Sequence, residues 1–549
     1  MFRNLGLRTL LLLLVFLRGV ATALINPILP GWNPDPTILR VGSDYFIATS
    51  TFEYFPGHPI YHSKDLVNWK LIGHALNRPS QLSMLGTPSD AGVWAPGLRF
   101  HRGWYYLTST TRYVYTAELR LFPRSFYVKT QNIFSNNWSD PVYFDALGYD
   151  ADLFWDTNGD VYNTWSGINN AVDKIYGIWQ NKIELETGNS LTAAQLIFKG
   201  TLPNNSSARP EGPHIYFING TYYLLIAEGG TGNEHRATIQ RGPSPSGPWE
   251  NNPANPVLFN GADLSLPVQA TGHADMVQGT DGRWWGTALA VRPQGGNFDH
   301  QQLGRETFLY PILWKDGWPV FNNGDPLSTH LPGVLADISP LSAYTNQFNS
   351  HTLDQTFYFV RTPYKTFHSL TAQPGFLRLL ANAYAPGDRD SAALLLRKQT
   401  SYSEEFETQL FFRPQSNLTE AGAGIYYGDT MHNEIGIVGD TEGSGARWVV
   451  VRTVGAAGMK TQSFSLKTPD EPVRLKIVAK PTSYALGYAE GAAAEFNFPV
   501  TIDSSALTIP PPGGFFFKGA AFSVYSTGNG KPSLALADFA YWRQTPTTS

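Results

Sequence analysis

The chain has 549 residues, which is too long for one hydrophobic core and predicts at least two domains. Its 52 glycines, 39 prolines and 14% aromatic residues, with short Tyr, Phe, Ile and Val runs between turn residues, are typical of an all-β protein. The 40 basic and 44 acidic residues leave a net charge of -4 with no basic block, which argues against nucleic acid as a partner, and the lack of cysteine excludes disulfides and thiol chemistry.

The first 23 residues have the pattern of a secretory signal peptide. Arg3 and Arg8 precede an apolar core, and the Ala-Thr-Ala sequence at residues 21–23 suits cleavage near Ala23. The apolar core is well short of the roughly 20 residues of a membrane span. We therefore expect a secreted, extracellular protein with no membrane contact. Glycosylation sequons, which fit this route, occur at Asn137, Asn204, Asn205, Asn219 and Asn417.

Five segments of the next three hundred residues share one design. Each has a polar or special residue, a short apolar strand, a turn with glycine and then an aromatic strand, as in "WAPGLRFHRGWYYLTST" and "EGPHIYFINGTYYLLIA". The turn glycines recur about every 60 residues, at Gly42, Gly103, Gly159, Gly220 and Gly282. A repeat of this length with several strands predicts propeller blades. We expect residues 24–335 to form a five-bladed β-propeller.

The residues that begin the first strand of each repeat can be aligned by counting back from the aromatic strand. This count places five residues in one register: Asp35, Trp94, Asp150, Glu211 and His273. The innermost strands of a propeller line its central channel, so these side chains are expected to converge at one end of it.

Three carboxylates around one cavity allow two interpretations. In a glycosidase, one carboxylic acid protonates the leaving oxygen, a carboxylate activates water, and a third acid raises the pKa of the first by repulsion. Alternatively, a charged channel rim stays hydrated or binds a structural cation such as calcium, which near the propeller axis would lie beside His273. No other cofactor is required by any motif.

Several motifs in order make the chain similar to a known family. "NPDPTI", "VWAP", "RPEGPH", "TGHADM" and "GRET" resemble glycoside hydrolase family 43, in its two-domain β-xylosidase/α-L-arabinofuranosidase branch. The resemblance implies a five-bladed propeller and hydrolysis with inversion. It also implies that Asp35 is the general base, Glu211 the general acid, and Asp150 the third acid, with Asp152 as a rival for the last role.

The same resemblance implies four residues that bind the sugar. His273 and Arg305 would lie under the sugar, and Trp94 and Phe55 would form aromatic walls of the pocket. Trp94, Phe55 and Arg305 each have an ordinary structural alternative, since large aromatics usually pack in blade cores and an arginine often pairs with a nearby acid.

The remaining part of the chain, residues 346–549, follows a connector at about 325–345 and is again β. In "PVRLKIVAK", Val473, Leu475 and Ile477 alternate with charged residues, which predicts strands with one apolar face, as in two packed sheets. This half resembles the concanavalin-like β-sandwich of the family's β-xylosidases, where a loop lends the active site a phenylalanine. In "GGFFFKGAAF" the candidates are Phe516 and, by preference, Phe517, with sandwich core as the alternative.

We expect an exo-acting hydrolase that releases terminal β-D-xylosyl or α-L-arabinofuranosyl units from xylan- or arabinoxylan-derived oligosaccharides. Two other classes stay open from the sequence: a non-catalytic sugar-binding protein, and an endo-acting arabinanase or xylanase. The residues alone do not distinguish the two sugars, but the appended sandwich favours β-D-xylosyl units, with α-L-arabinofuranosyl units or both as the alternative. The sequence is silent on oligomeric state.

Overall fold

A computed structural model of the protein describes residues 22–114, 123–168, 176–203, 208–296, 298–336, 341–440, 445–455, 458–468, 470–491, 494–510 and 515–547. Apart from Thr22 and Ala23, the predicted signal peptide lies outside these ranges. Within them the helices are single 3-10 turns at Ile133–Ser135, Asn322–Gly324 and Ser504–Leu507. None of these described helices is long and apolar enough to cross a membrane.

Five antiparallel four-stranded sheets confirm the predicted propeller, and strands that follow each other in sequence are neighbours in each sheet. Blade 1 is Thr37–Val41, Asp44–Ala48, Gly57–Ser63 and Lys70–Leu76; blade 2 is Gly92–His101, Trp104–Arg112, Arg124–Thr130 and Val142–Tyr143. Blade 3 is Gly148–Trp155, Val161–Ile168, Tyr176–Lys182 and Gln195–Phe198; blade 4 is Glu211–Ile218, Thr221–Glu228, Arg236–Gly242 and Glu250–Asn251. Blade 5 is Gln269–Gln278, Trp284–Val291, Glu306–Lys315 and Trp318–Phe321.

The propeller ring is closed by the segment that precedes blade 1. Thr22–Ile25 pairs with His330–Ala336, and Asn33 donates its backbone N–H to the Arg305 carbonyl at 2.9 Å. Because this segment runs along the third strand of blade 5, Asp35 lies beside Arg305 although the two are far apart in sequence.

The second half of the chain is two packed sheets, which confirms the predicted sandwich. Sheet A contains, in spatial order, Gly458–Ser465, Arg447–Gly455, Met431–Gly439, Glu420–Gly428, Ala521–Thr527, Ala393–Lys398, Tyr358–Val360 and Tyr54–Phe55. Sheet B contains His368–Ser369, Leu377–Leu380, Leu536–Pro546, Glu404–Phe412, Val473–Lys480, Ser483–Glu490 and Asn497–Asp503, with Tyr344–Asn346 paired to Leu536–Pro546. Val473, Leu475 and Ile477 are fully buried between the sheets, as their alternation predicts.

One strand of sheet A comes from the propeller. Tyr54–Phe55, in the loop between the second and third strands of blade 1, pairs with Tyr358–Val360, so that Phe55 lies opposite Phe359. The Phe55 side chain is buried in the apolar core shared with the sandwich. The prediction that Phe55 is a wall of the sugar pocket is therefore wrong, because its position in this strand turns the ring into the core.

Candidate active site

Each blade from 2 to 5 has a β-bulge in its first strand, at the end of the channel where the predicted site residues lie. The strand pairing puts Trp94 and Glu211 just before their bulges, whereas Asp150 and His273 are the first bulged residues. The predicted single register is thus wrong by one residue, because the hairpin turns of blades 3 and 5 are one residue longer than those of blades 2 and 4. Asp150 and His273 have positive φ, at 55° and 47°, which aims their side chains into the same site.

Asp35 is held as an anion by groups from two blades. Its Oδ1 accepts a hydrogen bond from Nη1 of Arg305 at 3.1 Å, and its Oδ2 accepts one from the Ser50 hydroxyl at 2.5 Å. Nδ1 of His273 lies 3.7 Å from Oδ1. Burial alone would raise the pKa of Asp35, but the Arg305 guanidinium, His273 and Ser50 outweigh it, so that the pKa is lowered. Asp35 is therefore ionised at neutral pH.

Glu211 has the opposite environment. Burial and then the negative charge of Asp35 raise the pKa of Glu211 to about 7, against the attraction of Arg209 and Arg305. The Tyr149 hydroxyl lies 3.4 Å from its Oε2. At neutral pH this carboxyl group therefore holds its proton for a large part of the time.

Asp150 lies against the backbone that carries Glu211. Its Oδ2 accepts the Gly212 N–H at 3.0 Å, which fixes the residue directly after Glu211. Burial, then repulsion from Glu211 and Asp35, raises the pKa of Asp150 well above its usual value. Gly212 has φ 57°, and a Cβ there would lie 3.0 Å from His273, so this position needs glycine.

His235 was missed from the sequence because it lies in a loop outside the repeated register. It is fully buried, and its Nε2 lies 3.9 Å from Oε1 of Glu211. Its Nδ1 lies 3.2 Å from the Ala270 carbonyl oxygen, which can only accept, so the proton is on Nδ1 and the lone pair on Nε2. Burial lowers the pKa of His235 to about 3, which keeps the ring neutral. A lone pair facing Glu211 disfavours its ionised form.

A second polar layer lies deeper in the channel and contains Asp152. Its Oδ2 is paired with Arg99 and lies 2.8 Å from Nδ1 of His214. Arg99 also lies 3.4 Å from Asp275, so these groups tie blades 2 to 5 together. Asp152 is thus paired within this deeper layer, whereas Asp150 accepts a hydrogen bond from the backbone next to Glu211. At Gly97 a Cβ would lie 2.6 Å from Oδ1 of Asp152, which explains why blade 2 has glycine there.

An aromatic wall closes the site from the sandwich side. The ring of Phe517 lies 5.9 Å from that of Trp94, edge-on, and 6.1 Å from that of Phe52. The Phe517 carbonyl accepts from Nε of Arg305 at 2.8 Å, whereas Phe516 stacks on Tyr427 in the core. Phe52, with φ 54°, takes the position that was predicted for Phe55, and the Arg305 guanidinium lies 5.8 Å from its ring centroid.

No group of three or more His, Asp and Glu side chains among the described residues is arranged to hold a metal ion. A cation near His273 stays a prediction; Nδ1 of this histidine lies 3.7 Å from Oδ1 of Asp35.

A propeller whose channel end holds one ionised and one protonated buried carboxyl group, beneath an aromatic lid, defines a glycoside hydrolase. Comparison with known proteins gives the family. The model of the glycosyl hydrolases family 43 matches residues 24–319, and the model of the β-xylosidase C-terminal concanavalin A-like domain matches residues 345–545. The chain belongs to glycoside hydrolase family 43.

Individual relatives cover nearly the whole chain. A non-reducing end α-L-arabinofuranosidase of Bacteroides ovatus is 38% identical over 94% of both chains. A β-xylosidase of Bacillus subtilis is 33% identical over 94% of this chain and 98% of its own. The crystal structure of a xylan β-1,4-xylosidase from Bacillus halodurans superimposes with a TM-score of 0.87, at 30% identity over 95% of this chain and 100% of that one.

Proposed function

We propose that the protein is a secreted, exo-acting, inverting hydrolase that releases terminal β-D-xylosyl units from xylan-derived oligosaccharides. The observation that carries the proposal is the opposite shift of two pKa values in one site, lowered at Asp35 and raised to about 7 at Glu211. Environments that separate two carboxyl groups in this way assign a base and an acid.

The proposed reaction uses both groups in one step. Asp35 takes a proton from a water molecule while the oxygen of that water bonds to the anomeric carbon. At the same time Glu211 gives its proton to the departing glycosidic oxygen. The products are the free sugar, with inverted configuration, and the shortened alcohol. Proton exchange with solvent then restores both carboxyl groups, so no cofactor is needed.

Exo action is supported by the sandwich loop. Phe517 and Trp94 cover one side of the site, and Lys518, fully buried next to Phe517, pairs with Glu53 at 2.9 Å and Asp90 at 3.3 Å. A lid that is held in place by buried ion pairs closes one side of the site, which supports action at chain ends rather than within a polymer.

A second sugar is favoured by a specific observation. The 38% identical relative is described as an α-L-arabinofuranosidase, although the sandwich model that matches this chain takes its name from β-xylosidases. Terminal α-L-arabinofuranosyl units, as in arabinoxylan, are therefore the alternative substrate, alone or together with xylosyl units.

The test is hydrolysis of nitrophenyl β-D-xylopyranoside, nitrophenyl α-L-arabinofuranoside and xylobiose, with Glu211→Gln as the control. We expect turnover of at least one aryl glycoside and a loss of about 10²–10⁴-fold on xylobiose in the variant, because its alcohol leaving group needs the proton. Proton NMR of the first product should show the inverted anomer. A retained anomer would assign Asp35 as a nucleophile, and a fully active variant would reject Glu211 as the acid.

Secretion is tested separately. The sequon asparagines Asn137, Asn219 and Asn417 are exposed, while Asn204 and Asn205 lie outside the described residues. We expect protein recovered from the medium of a eukaryotic host to begin near residue 24 and to lose mass on N-glycan removal. An intracellular product that begins at Met1 would contradict the proposal.

A further inference from the structure

A second cavity lies in the sandwich, apart from the active site. Its volume is about 300 Å³, and its lining includes Glu420, Asp429, His432, Glu434, Arg452 and Tyr525. These residues come from four neighbouring strands of sheet A and the turn between two of them, and the strand residues lie on the face opposite the sandwich core, since Ala421, Ala423 and Ile425 point the other way into that core. A volume of this size is at the lower end of the range for small-molecule sites.

Strand glycines form the floor under this cavity. Gly422 and Gly436 lie opposite each other in adjacent strands, and Gly422 also lies opposite Tyr525. A Cβ at Gly436 would lie 2.3 Å from the Tyr525 hydroxyl oxygen and 3.1 Å from Oε1 of Glu420. Glycine inside a strand weakens it and marks a close approach. Because Gly436 has no side chain, Tyr525 and the Glu420 carboxylate can lie flat on the sheet.

The Glu420 carboxylate is oriented before any ligand arrives. Its Oε1 accepts a hydrogen bond from the Tyr525 hydroxyl at 2.6 Å and is paired with Arg452. Glu420 and Tyr525 are almost completely buried, at 1% and 2% exposure. The Oε2 of Glu420 accepts a long hydrogen bond from Nδ2 of Asn529, at 3.4 Å, and has a further lone pair for a ligand hydroxyl.

One buried polar atom at the cavity wall has no partner in the described part of the chain. His432 is 5% exposed, and its Nδ1 is hydrogen bonded to Glu434, but no described residue forms a hydrogen bond with its Nε2. Gly387 also belongs to the lining, and a Cβ added to it would lie 3.4 Å from Nε2 of His432. Buried polar atoms are nearly always paired, so this nitrogen indicates a place for a ligand hydroxyl.

The charges of the lining select the ligand class. The carboxylates of Glu420, Asp429 and Glu434 are balanced by arginines, since Arg452 is paired with Glu420, and Arg389 and Arg361 lie 2.7 Å and 3.8 Å from Asp429. The lining therefore has little net charge to attract a charged ligand. The described acids and histidines are not arranged to hold a metal ion. Val454 and the largely exposed Met459 add apolar surface to the same lining. Carboxylate acceptors beside apolar surface suit a neutral sugar.

We propose that this cavity binds the end of a neutral pentose oligosaccharide and so holds the enzyme on its polymer while the propeller hydrolyses chain ends. The inference rests on the proposed function, because that function supplies the sugar. It assigns the sandwich a binding role separate from its lid over the active site.

The test uses the full chain with Glu211→Gln, which prevents turnover, titrated calorimetrically with xylotetraose and with arabinotriose. We expect two binding sites per chain for one of these sugars. Adding Glu434→Gln should weaken one site about tenfold or more, as for a lost charged hydrogen bond. The matched control is Glu405→Gln in sheet B, which should leave both sites unchanged.

Met459→Ala gives an independent test, since an exposed side chain can be removed without affecting folding, and it should weaken the same site. One site per chain for both sugars, or two sites untouched by Glu434→Gln and Met459→Ala, would overturn the inference. Hydrolysis of the aryl glycosides by the wild-type chain tests the proposed function on its own, so the two failures are distinguishable.

Discussion

At the residue scale, the protein gives three carboxyl groups of similar intrinsic acidity different pKa values. Asp35 gains a guanidinium and a hydroxyl donor and stays ionised, whereas Glu211 gains burial, a nearby negative charge and the lone pair of His235. Asp150 accepts a hydrogen bond from the backbone N–H of the residue after Glu211, a contact that fits the proposed role of positioning the acid.

The raised pKa of Glu211 predicts a stability cost. The folded state holds this proton between the usual pKa near 4.5 and about 7, while the unfolded state releases it. Stability therefore falls as pH rises through this window, by about 3 kcal/mol from one group. Glu211→Gln should be more stable than wild type by about 2–3 kcal/mol at pH 8 and nearly equal at pH 4, measured by urea unfolding. An equal gain at both pH values would show that ionisation is not the cause.

The tautomer of His235 predicts a shift of the pH profile. In His235→Asn the amide N–H can still donate to Ala270, but the lone pair facing Glu211 is gone, so the pKa of Glu211 should fall. We expect the alkaline limb of kcat/KM to move down by roughly half a pH unit. A lower melting temperature with an unchanged alkaline limb would make His235 a purely structural residue.

The three acids and His273 could be located from the sequence because the blade repeat and the family motifs both mark them, whereas Arg305 was indicated by a family motif alone. Phe52 could not be distinguished from Phe55, since only its positive φ turns the ring toward Arg305, and no local pattern indicates that backbone. His235 was invisible because its contact with Glu211 depends on how a loop folds back over Gly272.

At the element scale, the loop at 515–518 is the sandwich's contribution to the active site. Adjacent phenylalanines point in opposite directions, so Phe517 faces Arg305 while Phe516 stacks on Tyr427. The sequence indicated this loop but not its anchor. Lys518 pairs with Glu53 and Asp90, which lie more than 400 residues earlier.

Phe517→Ala should weaken substrate binding. Loss of this aromatic surface corresponds to about 1.5–3 kcal/mol, so KM should rise about 10–100-fold with a smaller change in kcat. Phe516→Ala is the matched control, because it removes core packing and should lower the melting temperature without a comparable change in KM. The reverse pattern would place Phe516, not Phe517, at the sugar.

The lengths of the hairpin turns explain the one-residue error in the predicted register. A count that passes through a hairpin turn of unknown length cannot decide which of two neighbouring residues faces the channel. The bulge adds to this uncertainty, because it accommodates an extra residue without disturbing the strand pairs on either side. The count nevertheless selected Asp150 and Glu211, and the positive φ of Asp150 brings its side chain to the same site although its register differs by one residue.

At the scale of the whole molecule, propeller and sandwich share a core, a strand pair and a buried ion pair. Removal of the sandwich would expose the core around Phe55 and leave the buried Glu53 and Asp90 without Lys518. Uncompensated buried charges of this kind are strongly destabilising.

A chain of residues 24–335 alone is therefore expected to be unfolded or aggregated and inactive, and the full chain to unfold in one calorimetric transition. Far-UV circular dichroism and differential scanning calorimetry give the two readouts. A folded, active propeller, or two separate transitions in the full chain, would show that the domains are independent.

The pairing of Tyr54–Phe55 with Tyr358–Val360 limits how such enzymes can be recombined. A chimera joined at the linker would combine the sandwich of one enzyme with the propeller of another. The outermost strand of sheet A, Tyr54–Phe55, would then come from the wrong parent. Successful gene fusions must exchange the blade 1 loop together with the distant C-terminal segment, so these two pieces of sequence are expected to be inherited as a unit.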